Sequence, residues 1–387
     1  MRAVTALSLM LAALGCSTVE RGPVNTIRKV DDGLYFMDFE GSNAKSTIVE
    51  FADFVAVIEV PVKDEGGGAR KLEEHAEGGE RVLRSLARQF PDKPLEYVLS
   101  SHWHPHSLSS LAPFLAHGVT VVTTKANFDK LGEMLGSSPP AAAPKGVWFV
   151  TGDSFEIKDA ANRIVAHRFA KKDYTATPTE DYLYFELPKY DAMHCGCMYS
   201  KWDGGPVMGR DVVTSREEDL YRFMETRGIR HSRLIRLNRE TDALDERLPF
   251  SRLESVVRTG LPSREITAKY RPLTIDALRT DRALIAARAV KDNIPPGTFN
   301  TLAYECLRKQ DLSRALEFAM LQTLVAPASG NAWDTLGEMY YAAGEVDVAR
   351  AFERASRKVQ PEFTGGGEPV WKADLDDLRK AWAEAKP

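Results

Sequence analysis

Two rhythms of hydrophobic and polar positions run along this chain. From about Val24 to Gly260 the apolar residues come in short β-rich runs, and GLYFMDF, STIVEF and FVAVIEV predict successive strands separated by Gly, Asn and Asp. ARKLEEHAEGGERVLRSLARQF then predicts a helix, with Gly78-Gly79 as its point of interruption. LEYVLSS predicts a strand, SLSSLAPFLAHG a short helix closed by Gly118, and VTVVTT another strand. GVWFV, RIVAHRF, DYLYFELP and AMHCGC continue the theme. This alternation predicts a layered α/β domain over residues 25–260.

Beyond it helix formers take over, and residues recur at one offset. Phe299 and Trp333, Leu302 and Leu336, Ala303 and Gly337, Ala315 and Ala349, and Pro327 and Pro361 are each 34 residues apart. This period resembles the tetratricopeptide repeat, a helix-turn-helix unit of that length, and implies an all-α domain over 270–387 with units at 296–329 and 330–363. Small residues at Gly337 and Ala349 would let two helices approach, while Trp333, Leu336, Tyr340 and Phe352 fill the groove between them. The first unit is weaker, with Cys306 in an aromatic position and Gln310 in a turn-glycine position. Helices over 273–291 and in the closing VWKADLDDLRKAWAEAK are placed to complete the stack, and such repeats imply a protein partner.

The 387 residues, 43% of them hydrophobic, suffice for two or three domains with buried cores. A net charge of -4 without a basic run argues against nucleic acid as partner. At the start, MRAVTALSLMLAALGCSTVE carries Arg2, an apolar run from Ala3 to Leu14 and then Gly15-Cys16, the pattern of an export signal too short to span a membrane. ALGC resembles a lipoprotein cleavage box, which makes residues 1–16 a signal and Cys16 the lipidation site. The expectation is a cell-envelope lipoprotein, periplasmic or attached to the outer membrane, touching the membrane by its lipid alone. Three cysteines remain, and the spacing of Cys195 and Cys197 suits no disulfide framework.

The candidate chemistry lies in VLSSHWHPHS, where His102, His104 and His106 alternate after a predicted strand. Alternate positions on an extended chain project to one side, so His102 and His104 can reach one ion, whereas His106 follows a proline and turns toward the next helix. No Ser-His-Asp order or phosphate-binding loop accompanies them, and EGGGAR and TGGGEP lack the lysine and threonine a phosphate cradle needs.

The frame DKPLEYVLSSHWHPHSLSSLAPFLAHGVTVVTTKANFDKL, continued by PTEDYLYFELPKYDAMHCGC and GIRHSRLIRLNRE, resembles the metallo-β-lactamase fold superfamily. The resemblance implies an αββα sandwich whose edge holds two metal ions that activate a bridging water for hydrolysis. Most of the family's ligands are missing. His102 and His104 match its His-x-His-x-Asp-His pattern, but His106 stands in the aspartate position and Ser107 in that of the next histidine. Pro178 and Asn238 occupy two further histidine positions, and Cys197 takes the place of the bridging aspartate.

His102, His104, His106 and Cys197 thus form a candidate set for one zinc ion at most, or the relic of such a site. All four on one ion would close it as a structural centre. Three would leave a position for water, with Asp181, Glu180 or Tyr174 as proton carriers. His75, His117, His167, His194 and His231 are expected to ligate nothing, and Cys195 to sit in the core. Three functions stay open: a non-catalytic scaffold or binding protein acting with its repeat domain, a divergent zinc-dependent hydrolase of a small ester, thioester or amide, and a regulator that pairs with a true hydrolase.

Overall fold

In the first sheet β1 (Thr26–Asp31), β2 (Leu34–Asp38), β3 (Lys45–Glu50), β4 (Val55–Ile58), β5 (Leu95–Leu99), β6 (Thr120–Thr123) and β7 (Val147–Phe149) lie side by side in chain order. Neighbours are antiparallel up to β4 and parallel from β4 to β7. This computed structural model describes residues 24–39, 44–61, 72–103, 112–134, 146–170, 172–174, 176–177, 179–199, 206–207, 209–238, 247–361, 363 and 366–384. Cys16, His104, His106, Ser107 and Pro178 lie outside the described residues.

β4 is the unbroken apolar run VAVI, buried throughout, as a strand covered on both faces must be. On its outer side Val57, Val98 and Val121 pack against Val82 and Leu86 of α1 (Leu72–Gln89), Phe114 of α2 (Ala112–Ala116) and Phe128 of α3 (Lys125–Met134). The expected break at Gly78-Gly79 does not occur. A Cβ on Gly79 would stand 2.8 Å from Pro113 Cγ, so glycine here lets α2 seat closely on an unbroken α1.

The second sheet has the order β14-β13-β11-β10-β9-β8, from β8 (Ser154–Lys158), β9 (Arg163–Ala170), β10 (Asp181–Leu187), β11 (Ala192–Gly196), β13 (Arg233–Arg236) and β14 (Leu248–Pro249). Between the sheets lie Phe36, Val49, Ala56, Ile58, Leu99, Leu183, Phe185 and Ile235. Phe169, Tyr182, Tyr184, Met193 and Leu234 turn outward to Leu220, Phe223 and Met224 of α4 (Ser215–Arg227) and Leu253 of α5 (Phe250–Thr259). The layers are therefore helices, sheet, sheet, helices: an αββα sandwich. A short parallel pair, β12 (Val212–Val213) with β15 (Leu261–Pro262), leads into α6 (Ser263–Tyr270) and an all-helical region.

That region contains α7 (Ile275–Thr280), α8 (Arg282–Lys291), α9 (Gly297–Arg308), α10 (Leu312–Val325), α11 (Gly330–Ala342), α12 (Val346–Val359) and α13 (Glu368–Glu384). The single helix expected over 273–291 is divided at Asp281, whose φ is -106°. α9 and α10 form one hairpin, α11 and α12 another. Trp333 and Tyr340 of α11 both stack on Phe352 of α12, with centroids 6.0 and 5.3 Å apart.

The two hairpin turns share one geometry 34 residues apart, with φ of +62° at Gln310 and +85° at Gly344. In the first, Gln310 N–H bonds to Leu307 O and Asp311 N–H to Cys306 O, a left-handed helix cap that favours glycine. Gln310→Gly is therefore expected to stabilise the chain by about 0.5–1 kcal/mol, the steric relief exceeding the added unfolded-state entropy. A urea midpoint unchanged or lowered would contradict this.

Candidate functional site

The two sheets meet at the edge where β4, β5, β11 and β13 end. There Leu237 N–H reaches Gly196 O (3.1 Å) and Lys45 N–H reaches Leu237 O (3.0 Å). β5 runs out into Ser100, Ser101 and His102, all buried. The Ser101 main chain is held on both sides: its N–H donates to Glu59 Oε1 at 3.2 Å, and its carbonyl accepts from Leu183 N–H (2.9 Å) and Asn127 Nδ2 (3.2 Å). Glu59, fully buried at the end of β4, has a left-handed φ of +62°.

So anchored, Ser101 orients the next residue. Its Oγ lies 2.7 Å from His102 Nδ1, which leaves Nε2 to face Cys197 Sγ at 3.6 Å. β11 ends at Gly196, whose φ of +55° carries the chain off the strand so that Cys197 stands in the turn. Tyr182 lies across the pair. Its ring stacks on His102 at 5.0 Å, and its hydroxyl accepts from Cys197 N–H (2.9 Å) and lies 3.6 Å from Cys197 Sγ. Burial pushes the Cys197 thiol up, against the opposing pull of Arg216 and the Tyr182 hydroxyl, so near neutral pH it remains a thiol in contact with an imidazole.

The pair fits the edge of a zinc tetrahedron. Zinc–nitrogen and zinc–sulfur bonds of about 2.0 and 2.3 Å at a tetrahedral angle put the two donors about 3.5 Å apart. Beyond this pair the described residues add no donor: no group of three or more His, Cys, Asp or Glu among them is arranged to hold a metal ion. Asn238, which the resemblance set in the last histidine position, is exposed and bridges Ala44, while its carbonyl accepts from the buried Lys45 ammonium at 2.6 Å. A fixed cation at that strand end disfavours a further metal ion beside it.

Two of the three suggested proton carriers have other work. Asp181 is gripped by Arg168 through two bonds, Nε–Oδ1 and Nη2–Oδ2, each 2.9 Å. Tyr174 lies between the Phe169 ring, 3.9 Å away, and the Arg222 guanidinium, 4.7 Å away. Glu180 is exposed. Bidentate pairing and stacking give the first two structural reasons for their chemistry.

Cys195 is buried and donates to Ile235 O at 3.3 Å, its thiol pushed up to about 12 by burial. His194 is buried with both ring nitrogens lacking a hydrogen-bond partner, and burial holds it down to about 3. His117 lies 3.3 Å from Glu80. His167 and His231 approach the two oxygens of Glu186 at 2.7 and 2.9 Å, a tie between β9, β10 and the start of β13 that sequence reasoning missed.

No protein-family model and no curated protein matches this chain. Among solved structures, the metallo-β-lactamase FIM-1 from Pseudomonas aeruginosa in its mono-zinc form aligns with a TM-score of 0.41 and 12% identity over 62% of this chain and 96% of that one. The metallo-β-lactamase from Pontibacter korlensis gives 0.41 and 13% over 60% and 97%. That from Hirschia baltica gives 0.40 and 13% over 61% and 97%. Likeness of this degree transfers no chemistry to this chain.

Proposed function

We propose that this chain is a non-catalytic scaffold or binding protein. In this reading residues 1–16 direct export and Cys16 is lipidated, so the protein is held at the cell envelope. The helices α9–α12 act as two tetratricopeptide-like units that bind another protein, and the sandwich carries them on a closed, degenerate metal site. The observation that supports it best is Tyr182. A phenol ring packed on a fully buried His102 and bonded to Cys197 blocks the place where an open zinc position would admit water and substrate. The candidate proton carriers, tied up elsewhere or exposed, agree with it.

One observation favours a second reading, a divergent zinc-dependent hydrolase of a small ester, thioester or amide. It is the 3.6 Å spacing of His102 Nε2 and Cys197 Sγ. There zinc would be held by these two with His104 and His106 as further donors, and would supply a polarised water. Elemental analysis separates the readings. The scaffold reading expects no stoichiometric zinc in the purified chain or in His102→Ala and Cys197→Ser, and no loss of stability on adding a chelator. About one zinc per chain, lost in both variants, together with zinc-dependent hydrolysis of a small ester, thioester or amide, would overturn it.

A further inference from the structure

α13 is joined to the rest of the helical region by a glycine step and seated on an unusual surface. Gly366 and Gly367 have φ of +90° and +94°, so the chain enters α13 through two residues with free access to left-handed backbone. Trp371, fully buried, lies over α11 where Gly337 leaves room: a Cβ there would stand 2.7 Å from the indole. On the far side Val370 joins the apolar cluster that contains Phe128 of α3.

Around this apolar contact the seat is acidic. From α11 come Asp334 and Glu338, from α12 Glu353 and from α13 Asp374, the first three buried. Asp334 Oδ1 accepts from Gly367 N–H at 2.9 Å, holding α13 by its N-terminal end. Glu338 Oε2 accepts from the Tyr304 hydroxyl of α9. The cations facing the cluster are Arg357, 3.0 Å from Glu353, and Arg308 of α9; at the rim Arg350 holds Glu368 at 2.9 Å. Among the described residues these four carboxyl groups are faced by Arg357 and Arg308 and, through Glu353, by Arg350.

Two buried polar atoms there are incompletely met. Glu338 Oε1 has no hydrogen-bond partner, and Trp371 Nε1 finds no acceptor at bonding distance although it faces Asp334. Such a seat tolerates protons better than charge.

We propose that α13 is a hinged latch, seated on α11 while Asp334 and Glu338 keep their protons beside Glu353 and Asp374, and released as those two buried carboxyls ionise, uncovering the α11 face around Gly337 and Tyr341. Burial, with Glu353 adding repulsion, raises Asp334 to about 7, and burial with Asp374 raises Glu338. A carboxyl raised in the seated state favours seating fully below the ordinary carboxylate range, and that favour is lost as pH climbs toward about 7. The latch stands whether or not a partner binds the uncovered face.

Hydrogen exchange on the purified full chain, read by mass spectrometry at pH 5 and pH 8 with times scaled for intrinsic exchange, tests it. Protection over 368–384 is expected to fall by on the order of tenfold or more at pH 8 while α9 and α10 hold theirs, and Asp334→Asn or Glu338→Gln should remove most of that fall. Protection of α13 that is unchanged by pH, that falls in step with α9 and α10, or that keeps its full pH dependence in both variants overturns the latch.

Discussion

Gly196→Ala is expected to cost about 2–5 kcal/mol of stability, because two penalties meet at one carbon. The residue has φ of +55°, which alone costs an alanine about 1–2 kcal/mol. The new Cβ would also lie 2.1 Å from the Tyr182 hydroxyl and 3.2 Å from Ser101 Oγ. Neither neighbour can yield cheaply: Tyr182 is fully buried and receives the Cys197 N–H, and Ser101 is held by Glu59, Leu183 and Asn127. Urea unfolding of the single variant, of Tyr182→Phe and of the double variant gives a cycle. Removal of the hydroxyl should restore part of the loss, since it removes the collision but not the backbone strain. A single variant within about 0.5 kcal/mol of the parent, the range of ordinary surface changes, would show that the site edge is less rigid than its bonds imply.

This rigidity was the part of the site the sequence did not display. His102 and Cys197 were reachable because each follows a recognisable strand in a frame with known positions. Glu59 and Ser101 were not, since a glutamate in FVAVIEVPV gives no sign of left-handed backbone, and Ser101 acts chiefly through its main chain. Tyr182 left a usable trace. In DYLYFEL strict alternation puts Tyr182 and Tyr184 on one side and Asp181 on the other, so the aromatic that covers the pair and the acid that turns from it to Arg168 were both written in the period of the strand. What alternation lacks is depth: it gives a side, not the neighbour met there.

The layers of the sandwich were legible for a simpler reason. Strands buried along all or nearly all of their length, such as VAVI and TVVT, read as apolar runs, while the edge strand β1, TIRKVD, with charged and half-exposed positions, offered no such run and went unread. In the helical region the 34-residue offset located the paired turns, and Gln310 matches Gly344 in backbone although not in side chain. The spacing said less about the ends. α13 was expected to extend a stack, and it also crosses to the sandwich through Val370.

Trp371→Ala tests what holds it there, with an expected loss of about 3–5 kcal/mol in the seating of α13. The indole is the largest fully buried side chain among the described residues, it is packed against Gly337, and its ring centroid is 6.0 Å from that of Tyr341. The carboxyl groups of Asp334 and Glu338 beside it would gain water rather than apolar contact. Because α13 enters through two glycines, the damage should stay local: urea unfolding followed by near-ultraviolet circular dichroism should show α13 lost first, with the sandwich transition unmoved. Gly337→Ala, which forces the indole outward, should produce a smaller version of the same result. A loss below about 1 kcal/mol in Trp371→Ala would mean that the polar hooks from Asp334 and Arg350 hold the helix by themselves; a loss shared equally by the sandwich would make α13 a structural member of both bodies and not a part that can open.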